Sequence, residues 1–266
     1  IPTGKGLLVY YVGNRSQFPL QNNTVPNPAI IDFKGTPNQG TLAVDMQCTG
    51  TCIVADNGNG WNLVANPYAS PIDWDSPEWT KVNLANTIYI WNPRINQYAQ
   101  YNSENPGAAT NGGSRYIGPG QSFFMKAIAN SPVLVANERV KTATFPDTLL
   151  FRTSAPQNQL RLILTNDEFE SRDEIVLAFD DNSTEAYESK FDNYKPKLPM
   201  TVSNFAFINE LGEKLGVHTF VKPGSDKRIP LQLDAQAGTF SLSAEQLATF
   251  DADIEFYLEN TKTGGL

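Results

Sequence analysis

The sequence predicts an all-β protein built as two tandem β-sandwich or jelly-roll-like domains. Three observations carry that expectation. Short apolar or alternating runs recur along the whole chain between Gly, Pro, Asn and Asp clusters, as strands between turns do. Helix-length periodicity is absent; only SAEQLATF (243–250) has helical character, with Ser243 as candidate N-cap and Glu245 and Gln246 in its first turn. Charged residues make up only 18% of the chain while hydrophobic residues reach 40%, so Asn, Thr, Ser, Gly and Pro fill the balance: a mix that suits turn-rich β proteins and supports a real core.

Each expected strand has a local reason. In the first half, LLVYYVG (7–13) is an apolar run ended by Gly-Asn, AIIDFKG (29–35) alternates up to a Gly, and TLAVDMQC (41–48) alternates as a half-buried strand does. GWNLVANP (60–67) follows the turn-rich DNGNG, with Trp61, Leu63 and Ala65 on one face and Trp61 expected to anchor it to the core. TIYIWNP (87–93) and QYAQYNS (97–103) flank NPRIN and form a hairpin. RYIGPGQSFFMKAIA (115–129) bends at Gly118-Pro119-Gly120 before a strand. In the second half, KTATFPDTLLFRT (141–153), LRLILTN (160–166), DEIVLAFD (173–180), FAFIN (205–209), IPLQLDA (229–235), TFSLSA (239–244) and DIEFYLEN (253–260) read as strands, and STEAYESKFDNYK (183–195) as a helical turn or structured loop.

Charge divides the chain. Residues 1–136 hold 7 Lys/Arg and 7 Asp/Glu, whereas 137–266 hold 13 and 21. The expected domains are therefore a Trp-rich β-sandwich over 1–136 and an acidic β-sandwich over 137–266 that is truncated at its C-terminal end. The net charge of −8 with no Lys/Arg stripe argues against a nucleic-acid partner, and no run of 18 apolar residues offers a membrane span. Both ends of the chain read as cut from a longer protein.

Two residue groups have ligand chemistry. GWNLVANPYASPIDW followed by DWDSPEW concentrates Tyr68, Asp73, Trp74, Asp75, Glu78 and Trp79. Asn66-Pro67 and Ser70-Pro71 bend this stretch, which marks a strand end and a corner docked on the core. The alternative is a carbohydrate-binding module: sugar rings stack on aromatic faces, and carboxylates take the hydroxyls. Asp73 and Asp75 also form the one carboxylate pair worth weighing for glycoside hydrolysis, but their spacing alone does not make a site. The second group, Asp180, Asp181 and Glu185, offers hard oxygen ligands for Ca²⁺ without EF-hand spacing, and otherwise reads as a solvated acidic loop. Calcium is the only cofactor the residues suggest. A lone histidine, His218, and no G-x-S-x-G leave no nucleophilic triad, so no catalytic residue is assigned and the chain is expected not to be an enzyme. Cys48 and Cys52, in C-x3-C spacing, fit a small disulfide loop in an oxidising compartment, two free thiols, or, least well, a metal.

GWNLVANPYASPIDW, TIYIWNP, YAQYNS and IGPGQSFFMKA, in that order, resemble a recurring region of large secreted proteins of Bacteroidota, where it lies just before the C-terminal sorting domain of the type IX secretion system. The second half, from DEIVLAFDDNSTEAYESKFDNYKPKL to FYLENTKTG, is similar to the β-sandwich that often follows there. The resemblance spans residues 31–266, and Ala65 and Ala69 stand where such regions often carry Gly and Pro. It implies a structural or interaction module, stalk- or adhesin-like, of a secreted or cell-surface protein. Its expected partners are neighbouring domains of the parent chain and a glycan or surface protein.

Overall fold

The structure, a computed structural model, describes residues 2–9, 32, 34–48, 52, 59–143, 158–168, 171–198 and 202–261. Of the strands expected at 7–13, 29–35 and 141–153, residues 10–13, 29–31, 33 and 144–153 lie outside the described residues, and the described remainder forms no strand. Among the described residues the chain is all-β, with sixteen strands and three short 3-10 turns. In chain order the strands are β1 (Leu42–Val44), β2 (Trp61–Ala65), β3 (Ile72–Asp73), β4 (Trp79–Val82), β5 (Thr87–Asn92), β6 (Gln97–Asn102), β7 (Tyr116–Ile117) and β8 (Ser122–Lys126). They continue as β9 (Val133–Ala136), β10 (Gln159–Asn166), β11 (Ser171–Phe179), β12 (Asn193–Tyr194), β13 (Asn204–Ile208), β14 (Lys214–Phe220), β15 (Leu231–Asp234) and β16 (Ser241–Glu245).

The chain groups into two compact units: residues 1–52, 59–84 and 116–147 form the first, and 53–58, 85–115 and 148–266 the second. The β5–β6 hairpin thus belongs with the second unit.

In the first unit β9 is the centre of an antiparallel sheet, pairing Leu42 of β1 and Trp79 of β4 with the same Ala136. β2 pairs antiparallel with β8, Val64 opposite Phe123, and β3 with β7, Ile72 opposite Ile117. The buried side chains of these pairs, with Tyr68, Trp74, Leu134 and Val140, make its core.

In the second unit β5 and β6 form the expected hairpin, Thr87 opposite Asn102. Its turn follows from sequence: the Asn92 side chain accepts the Arg94 N–H, and Asn96 takes φ 52°, a left-handed position that Asn tolerates. The large sheet runs β15-β13-β14-β11-β10-β16, with β12 also on β14. Its pairs are antiparallel except β11–β14, which are parallel with Val176 beside Val217. The β13–β14 turn is closed by Asn209, whose side-chain oxygen accepts the N–H groups of Leu211 and Glu213, with Gly212 at φ 77°.

Three expectations need correction. SAEQLATF, short enough to be a single turn between strands, is one only from Leu247 to Thr249 and is not capped by Ser243. Ser243 pairs with Ile163 in the β10–β16 ladder, and Gln246, at φ 69°, turns the chain into a 3-10 turn at Leu247–Thr249, so sheet pairing overrides local helix preference. Residues 254–259 form no strand. Aromatic contact holds that segment instead: Phe250 packs on Phe179 at 5.3 Å and on Phe256 at 4.8 Å. The outward phase of β2 is also reversed. Asn62 and Val64 face inward, while Trp61, Leu63 and Ala65 are half-exposed, so Trp61 is not the core anchor.

Candidate functional site

The stretch from Asn66 to Lys81 is one built corner of the first unit. Asn66 sets it. Its amide donates to the carbonyls of Ser70, Ile117 and Gly118 at 2.8–3.2 Å, and its oxygen accepts the Tyr68 N–H at 2.9 Å. Pro67 and Pro71 then fix the bends, and the chain returns as β3 and β4. The corner gathers all six candidate carbohydrate residues, but turns the rings inward. Tyr68 is 3% exposed, Trp74 0% and Trp79 8%. Trp74 meets Trp79 at 5.2 Å and Phe123 at 5.7 Å between ring centroids. A stacking platform needs open ring faces; these faces are filled by the core.

The polar ends of the rings are satisfied by the same chain. Trp79 Nε1 donates to the Asp73 carbonyl at 2.8 Å. Tyr68 Oη lies 2.7 Å from the Gly40 carbonyl oxygen and 3.0 Å from that of Ala136. Lys81 Nζ donates to the Trp74 carbonyl at 2.8 Å and sits 3.7 Å from the Trp74 ring centroid, a cation–π contact that helps cover the ring. Burial, and then the charge of Glu138, push the Tyr68 phenol above its ordinary pKa. The carboxylates serve the turn: Asp73 Oδ1 accepts the Asp75 N–H at 3.0 Å, and Glu78 lies 4.0 Å from Arg139.

The candidate calcium residues are used locally too. Asp180 Oδ1 accepts both the backbone and side-chain N–H of Asn182, Glu185 pairs with Lys227 at 2.6 Å, and Asp181 is exposed. Among the described residues no group of three or more His, Cys, Asp or Glu is arranged to hold a metal ion.

Cys48 and Cys52 form a disulfide, with Cys52 buried. The ring is small, so chain-entropy reasoning assigns it about 2 kcal/mol of stability. Intact mass under non-reducing conditions should be lighter by two hydrogens than after reduction; equal masses would show free thiols.

The second unit holds charged groups that sequence reading missed. Asp173, fully buried, accepts from Lys195 Nζ at 2.5 Å, Asn111 Nδ2 at 3.1 Å and the N–H groups of Phe205 and Glu174 at 2.8 Å. Glu174 pairs with Arg161, also fully buried, and with Arg172 at 3.1 Å. Arg161 and Glu174 sit diagonally on β10 and β11: Arg161 faces Val176, and Ile163 faces Glu174. Opposite charges on the inward phase of two neighbouring strands were the available signal.

Asp192 joins β14 to the loop before β12. Its two oxygens accept the Thr219 N–H at 2.7 Å and the Glu188 N–H at 2.8 Å, and His218 Nδ1 is 3.7 Å away. Burial raises its pKa above the ordinary carboxylate value, an effect that the nearby His218 imidazole and hydrogen bonds from the Glu188 and Thr219 N–H groups partly offset. The folded state therefore holds this proton more tightly than the unfolded chain, so the group's contribution is present at acid pH and is lost as pH rises through the raised pKa. In urea titrations across that range, Asp192→Asn should gain stability relative to the parent as pH rises; a pH-independent difference would contradict the assignment.

The chain belongs to the family described as Domain of unknown function (DUF8693), which it matches over residues 2–265. No curated protein and no solved structure was found to match it.

Proposed function

We propose that this chain is a non-catalytic structural and interaction module of a secreted or cell-surface protein, stalk- or adhesin-like, in the C-terminal region of type IX secretion cargo. One observation carries the reading: the candidate aromatic rings Tyr68, Trp74 and Trp79 are turned inward, and the buried charges of the second unit are satisfied by their own chain. Trp74 and Trp79 pack on each other, and Asp173 takes four internal donors. Groups that recognise or transform a ligand converge on open space instead. The Cys48–Cys52 disulfide suits an oxidising compartment.

The test is location together with redox state. Antibody against this chain should label intact cells or culture medium, and the native protein should resist thiol alkylation until reduced. Labelling only after lysis, with both thiols alkylated directly, would overturn the reading.

A further inference from the structure

We infer that the second unit binds internal water where the β5–β6 hairpin faces strands β12 and β14. The hairpin presents two consecutive polar rungs on one face: Thr87 opposite Asn102, and Tyr89 opposite Gln100. The first rung is joined directly to β12. Thr87 Oγ1 donates to Asn193 Oδ1 at 2.8 Å, and Asn102 Nδ2 donates to the same oxygen at 3.2 Å.

The second rung meets β14 at a glycine. A Cβ added to Gly216 would lie 2.9 Å from both Nε2 and Oε1 of Gln100, so the amide rests close against the strand backbone at this glycine. Asn193 is held by Thr87 and Asn102, the rung next to that of Gln100 on the same hairpin face, so the Gln100 and Asn193 amides meet adjacent rungs. Thr110 is tied to Gln100 by two backbone hydrogen bonds of 3.0 and 3.1 Å.

Gln100, Thr110 and Asn193 are each 0% exposed. Yet Gln100 Nε2 and Oε1, Thr110 Oγ1 and Asn193 Nδ2 have no hydrogen-bond partner among the described residues. Buried amides and hydroxyls are regularly hydrogen-bonded, and this set is chemically mixed: two amide donors, one amide acceptor and a hydroxyl that does both. A water molecule needs two to four polar partners and both donates and accepts, which this set supplies. An apolar ligand would leave the amides bare.

A crystal structure of the full chain that resolves ordered solvent tests this. Solvent density within hydrogen-bond distance of the Gln100 amide and of Thr110 Oγ1 or Asn193 Nδ2 is the expected result. Amides turned onto protein partners with no density between them would overturn the proposal. In solution, oxygen-17 relaxation dispersion should lose amplitude from long-lived water in Gln100→Met, and unchanged amplitude would contradict the site. Thr110→Val serves the same comparison if Gln100→Met does not fold.

Discussion

Trp74→Ala should lower stability by about 3–5 kcal/mol, the range for truncating a fully buried large aromatic side chain. The indole fills the contact between β3 and β4, with Trp79 and Phe123 around it and Lys81 over its face. Alanine leaves a cavity and removes the ring beneath the Lys81 ammonium, though not the backbone carbonyl it donates to. Urea unfolding followed by near-ultraviolet circular dichroism reads the loss. A change below about 1 kcal/mol would be the signature of a surface ring and would contradict the core placement.

Lys195→Met should cost about as much for a different reason, about 3–5 kcal/mol. Lys195 is the cation beside Asp173, and both are buried. Removing the ammonium leaves a carboxylate in the interior with only neutral donors, and stranding a charge there is far more costly than losing a surface pair. Adding Asp173→Asn to that variant should recover part of the loss, because the uncompensated charge disappears while one oxygen remains to accept. The double-mutant cycle should show coupling of about 0.5–3 kcal/mol, and strict additivity would mean the pair does not interact as placed.

Fold class was legible because strand alternation and turn residues act locally. The β5–β6 hairpin and the β10 and β11 strands follow from their apolar phase and flanking turns. What was not legible depends on partners distant in sequence. Asn62 looks like an outward residue, yet its amide donates to the Gln47 and Gly60 carbonyls and its oxygen accepts the Gln47 N–H. A buried asparagine with its bonds filled inverts the apparent phase of β2 and moves Trp61 outward. Arg161 and Glu174 mislead in the same way, since a charge is inward only when its partner is on the neighbouring strand. Ser243 reads as a helix cap until β10 supplies a ladder.

The 66–79 corner was half legible. Its prolines announced a bend, and its tryptophans announced burial or a platform. Only the filled space around Trp74 decides between these. Asn66, the residue that sets the corner, drew attention only as the residue before a proline. Its role rests on carbonyls at Ile117 and Gly118, far along the chain.

The most direct test is acrylamide quenching of tryptophan fluorescence in the Trp61→Phe/Trp91→Phe variant, which leaves Trp74 and Trp79 as reporters. Buried rings predict blue-shifted emission and weak quenching in the native state, rising to full quenching in urea. Red-shifted emission quenched as strongly in the native state as in urea would place these rings at the surface, and the account of an inward-turned, self-satisfied module would fail.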